Sequence, residues 1–523
     1  MARRYYDPSG TVAEKGGPLV RYHTSSFDGS EQPYAVYVPA AYTPERQWPL
    51  FISLHGYSSD HVLNLRRVFG MGNALGEDGE EYKKHFPAFP EIDFMVAGPY
   101  GFGSVGYAGM GEIDVLDVLE DVKRHYSIDE DRVYLTGLSM GGEGTWHLGL
   151  RYPHLWAALA PVCAPTSMFI GPDDVRRFAE NALYLPALVS HGAEDPAVPV
   201  ACSREMVSLL RGFGTQVEYE EYPGVGHDAW NHAYAGARIF GRLSQFRRVC
   251  RPRRVVYVTD CLRYSRAYWV EIARISEWGR TARIEAEAAG DNTIEVSTDN
   301  VSAFALHLLE APVEPDRPVC VKCNDGLTLG TIAGEDGKVE VELRVKPSAS
   351  LLKRRGLEGP VFDAFRSRYA VVYGTGEEDR ALLEGIRSAA DRSAAISEWA
   401  DVEIPVLADH QVGDAEISSM NLVLVGDDRS NSIIRRINDG LPVRFTSDGV
   451  ISGREKFPAD AGFVEVYPNP FYAERYVVVL GGRTPEILKK AAEIYRCVPD
   501  YAVFDGETSL AEGYFDEGWE MRA

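Results

Sequence analysis

The stretch Gly137-Leu138-Ser139-Met140-Gly141 lies between a β-branched run, Val133–Thr136, and a helical pattern that begins at Glu143. No other part of the chain restricts its fold as tightly. Glycine two places before and two places after a serine lets backbone pass against backbone where a strand turns sharply into a helix. The pentapeptide is common by chance, so its weight comes from this strand–turn–helix setting. A turn of this kind belongs to a mostly parallel sheet covered by helices, and the residues up to about 245 have that habit. Strands are expected at Tyr34–Val38, Pro49–Leu54, Phe94–Ala97, Val133–Thr136, Ala158–Val162, Ala187–Ser190 and Val217–Tyr222. Helical spacing of apolar residues marks Glu112–Tyr126, and a second helix, Glu143–Tyr152, is stopped by Pro153.

A serine hydroxyl is a weak nucleophile until a base takes its proton and a carboxylate fixes the base's tautomer. Ser139 therefore predicts an acid and then a histidine, each just past a later strand. Asp195 follows Ala187–Ser190, and His227 follows Val217–Tyr222. Glu194 and Asp228 compete with Asp195, and His191 and His232 with His227. The order Ser139, Asp195, His227 separates this chain from the two other familiar serine-protease orders. An oxyanion hole needs two backbone N–H groups. Met140 is expected to supply one and the loop His55-Gly56-Tyr57 the other, Tyr57 ahead of Gly56. Tyr100, Phe102 and Trp230 fall on loops at the C-terminal edge of the sheet, where α/β proteins bind substrate.

The motifs imply no cofactor and no metal. His227, Asp228 and His232 fit no common zinc spacing, and Cys320-Val-Lys-Cys323 is a lone pair without a second. Gly101-Phe-Gly-Ser-Val-Gly106 matches a dinucleotide fingerprint literally, but Tyr107-Ala-Gly-Met-Gly111 follows where a helix should start, so it reads as a loop lining the cleft.

Length adds the rest of the architecture. With 523 residues the chain should hold more than one domain, and the pattern changes at Phe246–Arg254, an arginine-rich connector read as acid-paired or solvated. The expected division is a tail at 1–19, a catalytic α/β domain at 20–248, a small antiparallel β domain at 255–345 and a second α/β domain of unassigned role at 356–523. Lys+Arg 54 against Asp+Glu 77 leaves −23, which excludes nucleic acid or an anionic membrane as the general partner. A homo-oligomer is compatible with all of this. The start carries two arginines without an apolar stretch behind them, and the seven cysteines are scattered, so a cytoplasmic protein is expected, or a secreted one if a leader has been removed.

The segments Leu54-His-Gly56, Gly111–Val115, Tyr134–Gly142, Arg151-Tyr-Pro153, His191-Gly192 with Asp195, Val198-Pro199 and Pro223–His227 resemble the polyhydroxybutyrate-depolymerase and feruloyl-esterase-like branch of the α/β-hydrolases, close to the prolyl-oligopeptidase catalytic domain. The tail resembles the C-terminal extension of multidomain bacterial hydrolases through Ala267–Val270, Gly359–Asp363, Asn421–Gly426, Asn431-Ser432 and Tyr467–Pro470. This likeness implies an α/β-hydrolase fold, a triad of Ser139, Asp195 and His227, and a serine esterase acting on feruloyl, acetyl or polyester-type esters of small molecules or polymers. A prolyl-oligopeptidase-like peptidase on short peptides and a non-catalytic binding protein on the same scaffold are the competing readings.

Overall fold

A computed structural model describes residues 16–71, 86, 88–324, 326–331, 337–396 and 400–522. The first sheet has eight strands: β1 (Gly17–Thr24), β2 (Glu31–Val38), β3 (Trp48–Leu54), β4 (Met95–Pro99), β5 (Ile128–Leu138), β6 (Ala158–Val162), β7 (Ala187–Gly192) and β8 (Val217–Tyr222). Their spatial order is β1-β2-β4-β3-β5-β6-β7-β8. The β1–β2 and β2–β4 pairs are antiparallel, and all the others are parallel. β3, β4, β6 and β7 are buried along their whole length, as continuous apolar runs in a two-faced parallel sheet must be.

Four helices matter for the site: α1 (His61–Val68), α2 (Met110–His125), α3 (Met140–Arg151) and α4 (Ala201–Gly212). α2 buries Val115, Val118, Leu119 and Val122 on one stripe, and also Glu112, Asp114 and Asp121. Those three carboxylates are tolerated because each is bonded: Glu112 to His147, Asp114 to His23 and the Gly101 N–H, Asp121 to the Tyr34 hydroxyl. β1 was not expected. It is a half-buried edge strand without alternation, fixed by its hairpin pairing with β2.

Residues Arg254–Thr259 to Lys338–Glu342 form a four-stranded and a five-stranded sheet, antiparallel except for one parallel pair, Thr293–Asp299 with Val319–Cys323. A fourth, seven-stranded sheet runs from Tyr369–Tyr373 to Ser509–Gly513. Helices Arg380–Ala394 and Pro485–Ile494 pack together beside it. The chain is thus an α/β-hydrolase-type sheet followed by a β unit and a second α/β unit. Four arginines of the connector do meet carboxylates, Arg247 at Asp129, Arg248 at Asp131, Arg253 at Glu287 and Arg254 at Glu285.

The three units are tied by buried polar contacts. Arg151 at the end of α3 lies 2.7 Å from Asp173 and 2.8 Å from Asp260. Glu112 accepts the hydroxyls of Tyr152 at 2.8 Å and Tyr264 at 2.6 Å, and Tyr264 also accepts from Arg366. Among the described residues, no helix is long and apolar enough to cross a membrane.

Candidate active site

Ser139 stands at the tip of the turn between β5 and α3, with φ 54° and ψ −118°. Its N–H is held by the Val162 carbonyl at 2.9 Å. The glycines around it are dictated by backbone contact: a Cβ on Gly137 would lie 2.2 Å from the Gly141 carbonyl oxygen, and one on Gly141 2.2 Å from that of Leu54. A left-handed serine is strained, and it persists because these close contacts leave the turn no alternative.

β7 and β8 end beside this turn. His227 Nε2 lies 2.9 Å from Ser139 Oγ, and its Nδ1 lies 2.7 Å from Asp195 Oδ2. The other Asp195 oxygen accepts the N–H groups of Ala197 and Val198 at 2.9 Å each. The carboxylate is fully buried, while His227 keeps a quarter of its side chain open. Such a chain of bonds can take a proton from the hydroxyl and hold the resulting imidazolium. Of the competitors, Glu194 is exposed, and His191 Nε2 lies 3.3 Å from Asp195 Oδ2 but does not reach Ser139. Asp228 accepts from Asn231, His232 stacks on Tyr222, and buried His191 lies 2.7 Å from the Ser203 hydroxyl.

No motif marks Cys163 as part of the site. It follows β6 with φ 48°, and its thiol donates to the His227 carbonyl at 3.1 Å. Its sulfur clusters with ligand atoms of Asp195 and His227 within 4.8 Å. Burial, reinforced by the Asp195 charge, pushes the thiol up to about 12, so it stays protonated and braces the histidine loop. Glu143 was missed as well, although a carboxylate in the first turn after the elbow is a readable signal. It is buried and accepts the N–H groups of Met168 at 2.6 Å and Phe169 at 2.5 Å. Burial raises its carboxyl to about 7 against the pull of those two donors.

Met140 opens α3, where first-turn N–H groups have no partner within the helix. Gly56 packs against the elbow, since a Cβ there would meet the Leu138 side chain at 2.7 Å and the Ser139 Cβ at 3.6 Å. Tyr57 is 43% exposed, with its ring stacked on Phe169 at 5.8 Å. Trp230 sets its edge to the His227 ring at 5.3 Å, and Tyr100 is half-buried with its carbonyl 2.8 Å from His55 Nε2. Phe102 requires correction. It is fully buried against Phe27, its carbonyl accepts from the Asp401 N–H, and it cannot line a cleft. The surrounding glycine loop is likewise largely buried and leads into α2 at Met110, but its Ser104, Val105, Ala108 and Gly109 still border a groove. The physical reason is distant in sequence, because a bridge between Gly103 and Ala400 lays the C-terminal unit over the loop.

Residues 113–241 match the phospholipase/carboxylesterase family. The chain is 24% identical over 458 residues to an uncharacterized secreted protein of Arthroderma benhamiae, covering 76% of this chain and 47% of that protein. It is 32% identical over 154 residues to the carboxylesterase SOBER1 of Arabidopsis thaliana (27% and 60%) and 29% over 142 residues to the bifunctional acetylxylan esterase/xylanase XynS20E of Neocallimastix patriciarum (26% and 18%). It therefore spans less than two thirds of each of these relatives. The family match falls on α2, the elbow and the strands behind it, so the N-terminal part of this chain has an α/β-hydrolase fold and is similar over residues 113–241 to the phospholipase/carboxylesterase family.

Proposed function

We propose that the chain hydrolyses carboxylic esters through an acyl-enzyme on Ser139. The observation that carries this is the unbroken run of contacts from Ser139 Oγ through His227 to the buried Asp195, at 2.9 and 2.7 Å. In this reading Ser139 Oγ attacks the ester carbonyl carbon while His227 Nε2 takes its proton. The tetrahedral oxygen is held by the Met140 N–H and one from Gly56 or Tyr57. Collapse breaks the C–O bond to the alcohol, which leaves with the proton from His227. Water, deprotonated by the same imidazole, then releases the acid and restores Ser139. Trp230, against the His227 ring, and Tyr57, next to Gly56, serve as substrate contacts, with Tyr100 behind them on His55. The relatives named for carboxylesterase and acetylxylan esterase activity support esters over amides as the substrate class.

Hydrolysis of p-nitrophenyl acetate and butyrate tests the reading. Turnover that falls by at least ~1,000-fold in Ser139→Ala is expected. Turnover unchanged in that variant, or none in the native chain, would overturn it. The compartment is tested by fractionation, since the scattered cysteines fit a cytoplasmic protein whereas the Arthroderma relative is secreted.

A further inference from the structure

One wall of a groove of about 470 Å³ is made by the loops that flank Ser139, and the other by the C-terminal unit. On the hydrolase side are Tyr57, next to Gly56, and Met168 and Phe169, which Glu143 holds from the first turn after the elbow. Ser104 joins them, its hydroxyl accepting the Ser58 N–H at 2.8 Å. Opposite stand Phe362, Arg392, Ile396 and Arg496. Arg496 is held rigidly. Its Nε donates to the Tyr495 hydroxyl at 2.7 Å and one terminal nitrogen to that of Tyr369 at 3.3 Å, with the Phe365 ring 5.3 Å from the guanidinium. Among the described residues, no carboxylate pairs with it. Among the same residues Arg392 meets only Glu493, at a loose 3.8 Å. Among the described residues, two guanidinium groups and one carboxylate give the groove one positive charge, beside apolar and aromatic walls.

We infer that this groove is part of the substrate site and that the C-terminal unit selects esters bearing a carboxylate remote from the scissile bond, which Arg496 receives. A fixed, planar guanidinium with no carboxylate partner among the described residues favours a planar anion. The single net charge matches a monoanion. The aromatic walls suit the carbon chain or ring between carboxylate and ester. The inference rests on the ester-hydrolase reading above and adds to it a substrate class and a task for the C-terminal unit.

The test compares esters that differ only in a terminal carboxylate or primary amide. In one series the group ends the acyl chain of p-nitrophenyl esters of four- to eight-carbon diacids; in the other it lies on the aryl alcohol, as 4-carboxyphenyl and 4-carbamoylphenyl butyrate. A kcat/KM ratio of at least tenfold for the carboxylate is expected in one series, weakening with salt. The ratio should fall close to one in Arg496→Gln, while Arg496→Lys retains part of it. Because the ratio is taken within each protein, loss of folded enzyme cancels. A ratio near one throughout, or one unchanged in Arg496→Gln, would overturn the inference while leaving the esterase reading standing. If neither ester of any pair is hydrolysed, the esterase reading fails. Calorimetric binding of the matching carboxylate and amide ketones to the native chain then decides the groove, tenfold tighter carboxylate binding supporting it and equal binding overturning it.

Discussion

Ser139, His227 and Asp195 come from three loops, and the bond that fixes their arrangement is the one deepest in the protein. Asp195 receives the histidine on one oxygen and two backbone N–H groups on the other. Asp195→Asn keeps the shape but loses the charge that stabilises an imidazolium and selects its tautomer, so kcat should fall by ~10,000-fold with little change in melting temperature. A loss below tenfold would remove Asp195 from the assignment. Glu143 has a different task. As Glu143→Gln it can accept only one of the two N–H groups from Met168 and Phe169 and turns an amide donor toward the other. The expected cost is about 1–3 kcal/mol of stability together with a raised KM, read by urea unfolding and steady-state kinetics. The three principal residues could be read from the sequence because each follows a strand in a fixed order. Cys163 and Glu143 could not, since their importance lies in which backbone groups they meet after folding.

The elbow between β5 and α3 is built on backbone contact. Gly141→Ala would drive a methyl group to 2.2 Å from the Leu54 carbonyl oxygen, at the end of the strand that leads to the His55-Gly56-Tyr57 loop. Neither element can withdraw without breaking the sheet, so the variant should lose several kcal/mol or fail to fold, as measured by thermal unfolding. Wild-type stability would show that the turn is looser than described. Apolar runs revealed β3, β4, β6 and β7, because a buried parallel strand is hydrophobic on both faces, whereas β2 and β8 were legible from their β-branched and aromatic residues. Neither signal revealed β1, whose eight residues are half-buried and lean on pairing instead. Phe102 failed as a cleft residue for a related reason. Position at a strand end suggests exposure, but exposure is decided by what covers the loop, and here that is a segment some three hundred residues later.

Across the whole molecule, the hydrolase unit is locked to the rest by largely buried ions, Arg151 and Glu112 being the most enclosed. Burial alone would raise the Glu112 carboxyl, yet the hydrogen bond and charge of His147, with the Arg366 guanidinium, bring it down to about 2. For Asp260 burial is likewise outweighed, chiefly by Arg151, again to about 2. Both carboxyls lie below their ordinary values, so the stability they lend is complete above about pH 4.5 and lost as pH falls toward 2. Glu143 and Glu358 act in the opposite sense. Burial raises them to about 7 and about 8, and the stability tied to their protonated forms is lost as pH rises from 4.5 through those values. Melting temperature should therefore peak in mildly acidic solution and drop steeply below pH 4. A profile rising continuously toward pH 2 would contradict the lock. Cutting the chain after residue 248 would leave Arg151 without Asp260 and Glu112 without Tyr264 and Arg366, so this fragment should aggregate on expression, whereas a soluble, cooperatively melting fragment would show that the lock is dispensable. None of these partners could be paired from sequence, because more than a hundred residues separate them.

Nucleophilic catalysis by Ser139 requires a covalent acyl intermediate on that residue. Rapid quenching of the enzyme during turnover of a p-nitrophenyl ester, followed by peptide mass spectrometry, should find the acyl group on the peptide containing Ser139 and nowhere else. Turnover with no acylated peptide, or with the acyl group on another residue, would contradict it.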